Sequence, residues 1–246
     1  MSDILNSVPI PRRSMILCFI IDTSGSMAGT KIGALNDAIS QVIPMLDDIS
    51  KSNADADIKI AALQFSSGCE WIYSEPKPAS DFKWVDREAG GLTDLGTAYL
   101  ELNNKLSRES FLKSATGYFA PVLLLLSDGE PTDNWQAGLE KLKTNKWYQN
   151  AIKIAIAVGD DANKEILKEF TKNSEAVITV HTVEALKKLI RTVSVTASTI
   201  GSKSSTAGDK NKQIIAQEVI TEVVKETDGA ESESAPDPGH YDTEGW

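Results

Sequence analysis

MILCFIIDTSGSMAG, at residues 15–29, places seven consecutive apolar residues directly before a turn of Asp, Thr, Ser and Gly. A run that is apolar at every position is typical of a strand covered on both faces of a sheet. The residues after it favour a tight turn, and most of them carry side-chain oxygen atoms. The stretch therefore predicts a buried strand that ends in an oxygen-rich loop.

Five more apolar runs follow along the chain, and segments with the periodicity of an amphipathic helix separate most of them. The first such segment, residues 32–49, contains Pro44, which is expected to kink or interrupt the helix. Thr30, Asp133 and Thr182 precede helical segments and are candidate caps. The five later runs lie at residues 58–65, 69–73, 121–126, 152–158 and 176–180.

The order of runs and helical segments predicts an α/β fold with an open, mostly parallel six-stranded sheet and helices on both faces. Only residues 66–68 separate the second and third runs, which is too short for a parallel crossover. These two runs therefore form a hairpin, which puts one antiparallel strand at an edge. Ligands of such sheets bind beyond the carboxyl ends of the strands, here the loops after Ile21 and Leu126.

Composition limits the classes of partner. The 246 residues are 41% hydrophobic and carry a formal net charge of −10, which suits a large core and disfavours nucleic acid or anionic membranes. The apolar runs are far shorter than the roughly 20 residues that span a bilayer, and no secretory signal is evident. Cys18 and Cys69 lie in apolar segments and favour buried, reduced thiols. We therefore expect a cytoplasmic protein without nucleic-acid or membrane partners.

Charge and composition change near residue 198. Residues 201–246 hold ten acidic and four basic side chains, and the stretch 196–208 is rich in Ser, Thr and Gly, as flexible linkers are. The predicted organisation is an N-terminal arm at 1–12, a domain at 13–197, a linker at 198–212, an amphipathic segment at 213–226 and an acidic disordered tail at 227–246.

Three loops at the expected crevice carry oxygen ligands. Asp22, Ser24 and Ser26 alternate in the first loop, where their spacing lets them point the same way. Thr93 lies in a second, Gly-rich turn that opens a helix, and Asp128 follows the central run at 121–126. Mg²⁺ prefers such oxygens and is usually held by one or two carboxylates with several waters. Ordinary turn and helix-cap roles are the alternative for these residue types.

DTSGS at 22–26, the Thr in GGLTDLGTAY and the stretch LLLLSDGE resemble the metal-ion-dependent adhesion site of von Willebrand factor type A domains. The resemblance covers about residues 13–197 and all five signature positions. It implies that Ser24, Ser26 and Thr93 bind the cation directly, that Asp22 and Asp128 act directly or through water, and that a partner's Glu or Asp completes the shell. The expected cofactor is Mg²⁺, with Mn²⁺ or Ca²⁺ as alternatives.

The phrases DTSGSMAG and LLLLSDGEPTD resemble bacterial members of the TerY type in particular. That resemblance implies a non-catalytic adaptor in a tellurite-resistance, stress-response or phospho-signalling complex with a Ser/Thr kinase and a PP2C-type phosphatase. An adaptor of an AAA+ ATPase is the alternative. Met27, Ala28, Glu130 and Trp135 are the expected partner-binding rim, although Trp135 could equally belong to the core.

Enzymatic interpretations find less support. DTSGS differs from the DTGS of aspartic proteases by an inserted Ser, and Ser24 stands where aspartyl-phosphate phosphatases need a second acid. His181 and His240 suit neither a catalytic triad nor, with the two Cys, a zinc site. A phosphate-binding GxxxxGK[ST] loop does not occur. We therefore expect no catalytic residues, with a Mg²⁺-dependent hydrolase as the enzymatic alternative.

The C-terminal segments suggest further contacts. Apolar residues within 215–224 follow helical spacing, although their β-branched side chains also permit a strand. This segment could pack on the domain, pair with another copy or dock into a partner. The sequence GHYDTEGW at 239–246 combines aromatic and acidic residues, which favours a recognition peptide with Thr243 as a candidate phosphorylation site. An inert acidic tail is the alternative.

Overall fold

The computed structural model describes residues 12–128, 130–159 and 162–201, together with Ile214 and Glu218. Within these ranges, strands and helices mostly alternate along the chain. The elements are β1 (Arg13–Asp22), α1 (Thr30–Ser52), β2 (Ala56–Ser66), β3 (Gly68–Trp71), β4 (Lys77–Pro78), α2 (Leu95–Lys105), β5 (Val122–Ser127), α3 (Trp135–Lys143), α4 (Lys146–Asn150), β6 (Ile152–Val158), α5 (Lys164–Thr171), β7 (Val177–Val180) and α6 (Val183–Gly201). The exceptions are β2, β3 and β4, which follow in succession, and α3, which is directly followed by α4.

The sheet has the order β3-β2-β1-β5-β6-β7, and the predicted open, mostly parallel α/β architecture is confirmed. Strands β1, β2, β5, β6 and β7 are parallel, whereas β3 forms the expected antiparallel hairpin with β2. A second antiparallel strand, β4, was not predicted; it also pairs with β2. It contains only two residues, one of them Pro78, so it has no periodic pattern and suits only a sheet edge. Strand order reverses at β1 and β5, which places the crevice at their carboxyl ends.

Helices cover both faces of this sheet. Odd-numbered β1 residues from Met15 to Ile21 lie in the core that also contains α1 and α6, and even-numbered ones from Ile16 to Ile20 face α2, α3 and α5. Every one of these side chains is at most 2% exposed. Two-sided burial is therefore the reason that β1 is apolar at consecutive positions.

Three local predictions need correction. Thr30 does not cap α1, because it is the first residue of the helix and Gly29 precedes it as the N-cap. Pro44 does not interrupt α1, which continues from Thr30 to Ser52 and buries an apolar stripe on both sides of the proline. Asp133 does not cap α3, because Asn134 does so by accepting a hydrogen bond from the backbone N–H of Ala137 at 3.2 Å. The predicted cap Thr182 does accept a hydrogen bond, from the N–H of Ala185 at 3.1 Å.

The folded domain extends into the predicted arm at one end and into the predicted linker at the other. Arg12 donates to the carbonyls of Ser50 and Asn53, each at 2.7 Å, so it belongs to the domain rather than to an arm. Helix α6 continues to Gly201, with Ser198 fully buried, although the linker was expected from residue 198. Small Ser and Ala side chains can line a buried helix face, so the Ser- and Thr-rich composition from residue 196 onward does not mark the end of the helix. Ile214 and Glu218 are helical, and the rest of 202–246, including Thr243 and the tail, lies outside the described residues.

The expectation that both thiols are buried is confirmed for Cys18 and only in part for Cys69. Cys18 is buried, whereas Cys69 is only partly buried, and both are free. Burial raises the pKa of each thiol, that of Cys69 to about 11, so both are poor nucleophiles at neutral pH. No helix in the described part of the chain has the length and apolarity to cross a membrane.

Helices α2 and α3 approach each other through two glycines. A Cβ atom on Gly96 would lie 2.7 Å from the carbonyl oxygen of Asn134 and 2.8 Å from the Cα of Trp135. A Cβ atom on Gly138 would lie 2.9 Å from the Cα of Gly96. These are backbone atoms that cannot rotate away, so neither position accommodates a larger residue without separating the helices.

We predict that Gly138→Ala lowers the free energy of unfolding by about 1–3 kcal/mol, because the added methyl group forces α2 and α3 apart. Gly33→Ala is the matched control, since a Cβ at that exposed helical glycine meets nothing within 4 Å; it should stabilise by about 0.5–1 kcal/mol. Urea denaturation of both variants measures the difference. Equal stability of Gly138→Ala and the unmodified protein would contradict the steric argument.

Lys153 is a buried amine within β6 and is only 5% exposed. Its Nζ donates to the carbonyls of Ala151 at 2.8 Å and Tyr148 at 3.1 Å. Burial lowers the pKa of Lys153 from 10.5 to about 8, and the nearby charge of Lys172 acts in the same direction. The folded state therefore releases this proton at a lower pH than the unfolded chain does.

Between about pH 8 and pH 10.5, the unfolded chain holds a proton at Lys153 that the folded protein has lost. We therefore predict that the free energy of unfolding rises with pH in this window, relative to Lys153→Met, by up to about 1.4 kcal/mol per pH unit. Below pH 8 the difference should become flat. Denaturant titrations at several pH values test this, with the exposed Lys146→Met as control; parallel profiles for the protein and Lys153→Met would refute it.

Candidate metal centre

The loop after β1 is a tight turn that directs three oxygen-bearing side chains to one place. The backbone N–H of Ser24 donates to Oδ1 of Asp22 at 2.8 Å, and residues Gly25–Met27 form a single 3-10 turn. Asp22 and Ser24 are at most 1% exposed, whereas Ser26 is exposed. The turn thus fixes the buried carboxylate beneath the hydroxyls, with Ser26 nearest to solvent.

Hydrogen bonds connect this loop to the carboxyl end of β5. The Ser24 and Ser26 hydroxyl oxygens are 3.0 Å apart, and the Ser26 hydroxyl donates to Oδ1 of Asp128 at 2.7 Å. Deeper in the structure, the Ser127 hydroxyl donates to Oδ2 of Asp22 at 2.6 Å. Four of the five predicted ligands, Asp22, Ser24, Ser26 and Asp128, therefore lie in one hydrogen-bonded group.

The fifth predicted ligand, Thr93, lies on a loop that is tied to both of the others. The N–H of Gly90 donates to the carbonyl of Thr23 at 2.8 Å, which joins the second loop to the first. Thr93 and Thr132 exchange two hydrogen bonds: the Thr93 N–H donates to the Thr132 hydroxyl at 3.0 Å, and the Thr132 N–H donates to the Thr93 carbonyl at 2.9 Å. Thr93 is 6% exposed, and none of the hydrogen bonds among the described residues joins its hydroxyl to the other four predicted ligands.

Asp133 locks the second and third loops together. Its carboxylate accepts hydrogen bonds from the N–H groups of Gly96 and Thr97, both at 2.9 Å. These N–H groups belong to the first turn of α2, where helical donors have no partner within the helix. Asp133 was predicted to cap its own helix but instead caps the neighbouring one, because the Gly96–Gly138 contact brings the two helix starts together.

The electrostatics of the centre favour a cation. Burial raises the pKa of Asp22, and the nearby carboxylate of Asp128 raises it further, while hydrogen bonds from Ser127 and Ser24 act in the opposite direction. The side chain of Asp128 is fully buried and forms an ion pair with the ammonium of Lys31, which is 25% exposed. Two carboxylates that share a buried site are stable as anions only when a positive charge compensates them.

The donor set fits a hard divalent cation. It consists of carboxylate and hydroxyl oxygens without nitrogen or sulfur, as Mg²⁺ and Mn²⁺ sites do. In the described ranges, no group of three or more His, Cys, Asp or Glu side chains could hold a metal, so a cation here depends on the hydroxyls of Ser24, Ser26 and Thr93.

The predicted rim is only partly correct. Met27 is 0% exposed and belongs to the core beside α1, because the 3-10 turn directs its side chain inward. Trp135 is half-buried against the core on the other face of the sheet. Ala28 and Glu130 are exposed, as expected. Leu92, which precedes Thr93, is 57% exposed and was missed, since an isolated Leu in a Gly-rich loop has no periodic signal.

The sequence matches the von Willebrand factor type A domain family over residues 17–192, which is well over half of the chain. This range contains all five predicted ligands. No curated protein matches the sequence.

Several solved structures share the fold at low identity. Proximal thread matrix protein 1 from the mussel byssus, in a structure with a zinc-occupied MIDAS motif, is 18% identical with a TM-score of 0.57 and covers 76% of this chain and 48% of its own. A von Willebrand factor type A protein from Catenulispora acidiphila is 18% identical, with a TM-score of 0.55 and 76% and 43% coverage. The ArnB paralog VWA2 from Sulfolobus acidocaldarius is 21% identical, with a TM-score of 0.53 and 74% and 45% coverage. The chain thus spans less than half the length of these proteins.

We predict that Asp133→Ala lowers the free energy of unfolding by about 1 kcal/mol, because the first turn of α2 loses its cap. Asn134→Ala, which removes the cap of α3, should cost a similar amount and is the matched control. Only the Asp133 variant should also increase amide hydrogen exchange at Gly96 and Thr97, as measured by NMR. Unchanged exchange there would show that the carboxylate does not cap α2.

Proposed function

Because the chain belongs to the von Willebrand factor type A family, we propose that it binds a divalent cation, Mg²⁺, at the crevice and uses that cation to dock a carboxylate of a partner protein. The observation that carries the proposal is the hydrogen-bonded group of Asp22, Ser24, Ser26 and Asp128 at the switch point of the sheet. It brings two carboxylates and two hydroxyls from separate loops together at the carboxyl ends of β1 and β5, where Ser26 is exposed to solvent.

The residues divide into ligands and orienting groups. Asp22, Ser24, Ser26, Thr93 and Asp128 would hold the cation, directly or through water. The bound cation would supply a Lewis-acidic position for the partner's Glu or Asp. Ser127 orients Asp22 by its hydrogen bond, and the Thr93–Thr132 pair fixes the position of the second loop.

Exposed side chains around the centre would supply specificity. Leu92 offers an apolar contact, and Ala28 leaves space for a partner close to the first loop. Glu130, which accepts a hydrogen bond from the side-chain amide of Asn163 at 2.9 Å, adds a negative charge at the third loop. A partner with a carboxylate for the cation and an apolar or basic neighbour would suit this rim.

We further propose a non-catalytic adaptor role in a cytoplasmic stress-response or phospho-signalling complex of the TerY type, with a Ser/Thr kinase and a PP2C-type phosphatase as partners. The proposal is supported by the phrases DTSGSMAG and LLLLSDGEPTD and by two free thiols with raised pKa values. Co-purification with an AAA+ ATPase ring instead would favour the alternative adaptor role. Turnover of phosphate esters or peptides by the pure protein would contradict a non-catalytic role.

We predict that Asp22→Ala combined with Ser24→Ala abolishes Mg²⁺-dependent capture of the partner, because the variant loses one carboxylate and one hydroxyl of the centre. Affinity purification with Mg²⁺ and with excess EDTA measures the effect. The unmodified protein should retain its partner only with Mg²⁺, and the variant in neither condition.

Ser80→Ala combined with Asp81→Ala is the matched control, since these exposed residues follow β4 at the opposite end of the sheet, and the Ser80 hydroxyl donates to the Asp81 carboxylate at 3.0 Å. It should capture the partner normally. Far-UV circular dichroism of both variants should match that of the unmodified protein. Equal capture by the unmodified protein in excess EDTA would overturn the proposal.

A further inference from the structure

Lys31 contributes a positive charge to the candidate metal centre from the first turn of α1. Its ammonium contacts Oδ2 of Asp128, while Oδ1 of the same carboxylate accepts the hydrogen bond from Ser26. The carboxylate is therefore engaged on both oxygens. Because its side chain is fully buried, Asp128 has no solvent to stabilise its charge if the ammonium moves away.

A cavity lies beside Lys31, next to the carboxyl ends of β6 and β7. It has a volume of about 150 Å³, and its lining includes Lys31, Ala34, Gly159, His181 and Leu186. Lys31 thus borders the carboxylate on one side and a space large enough for a displaced side chain on the other. A flexible lysine stem can move between such positions without moving the backbone.

We propose that Lys31 is a built-in competitor of the metal ion, whose ammonium occupies Asp128 until a divalent cation displaces it towards the neighbouring cavity. The inference rests on the proposed metal site and concerns its regulation. An ammonium and a divalent cation repel each other and share one carboxylate, so binding of the cation includes the loss of the Lys31–Asp128 pair. Lys31 therefore lowers the affinity of the centre for metal.

A second lysine on the same side of the sheet provides the comparison. Lys187 of α6 forms an ion pair with Asp37 of α1 at 2.8 Å, but Asp37 is 61% exposed. Solvent screens that pair and compensates Asp37 when the ammonium is removed. Removing Lys187 thus deletes an equal charge from the α1–α6 surface without releasing a buried carboxylate.

Isothermal titration calorimetry of the pure protein with MgCl₂ tests the proposal without any partner. Lys31→Met should bind Mg²⁺ at least about tenfold more tightly than the unmodified protein, because the competing charge at Asp128 is gone. Lys187→Met should bind it with unchanged affinity. The increase in melting temperature on addition of Mg²⁺ should likewise be larger for Lys31→Met than for either of the others.

Unchanged or weaker Mg²⁺ binding by folded Lys31→Met would overturn the proposal. Lys31→Gln, which keeps a hydrogen-bond donor without the charge, should bind Mg²⁺ more tightly as Lys31→Met does. If the two variants fold only with Mg²⁺, the metal replaces the ammonium and the proposal is supported. Failure to fold with and without Mg²⁺ would make Lys31 a purely structural residue and contradict it. Tighter Mg²⁺ binding by Lys31→Met, without capture of any protein by the unmodified chain, would refute the proposed docking function alone. Mg²⁺-dependent capture by the unmodified chain, with unaltered Mg²⁺ affinity in Lys31→Met, would refute only the role of Lys31.

Discussion

The parallel pairing of β1 with β5 is the constraint on which the rest of the centre depends. Its register aligns Ile21 with Leu126, so the next residue of each strand, Asp22 and Ser127, meet at the edge of the sheet. Both strands are buried on both faces, and their apolar residues fix this register because a slip by one position would exchange the two cores. The chemistry of the edge is therefore set by packing far inside the domain.

The three loops are positioned relative to one another by contacts that lie outside the β1–β5 pairing. The second loop reaches the first through the backbone of Gly90 and Thr23, and it reaches the third through the paired threonines at 93 and 132. Gly96 and Gly138 allow the helices behind these loops to approach closely, and this approach lets Asp133 accept hydrogen bonds from the N–H donors in the first turn of α2. Oxygen ligands that are distant in sequence are thus held by a mixture of backbone bonds, small residues and one carboxylate.

Most of the sheet and the identity of the three loops could be predicted from the sequence, because two-sided burial and the change of residue type at strand ends are local signals. Features that depend on partners distant in the sequence could not. Met27 looks like a loop residue until the turn directs it into the core, and Asp133 precedes one helix but caps another. The buried Ser198 resembled part of a linker because composition does not reveal which face of a helix is covered. The pairing of Lys31 with Asp128 has no pattern at all, since it joins residues 97 positions apart.

The bonds between the second and third loops also bear on how the crevice can move. Thr93 and Thr132 hold each other by two reciprocal hydrogen bonds, and the helices that follow are in contact at backbone distance. These contacts join the two loops into one block. The first loop meets that block mainly through hydroxyl and backbone bonds that a ligand can exchange. We therefore expect a change in shape on binding to be a displacement of the turn at 22–28 relative to this block.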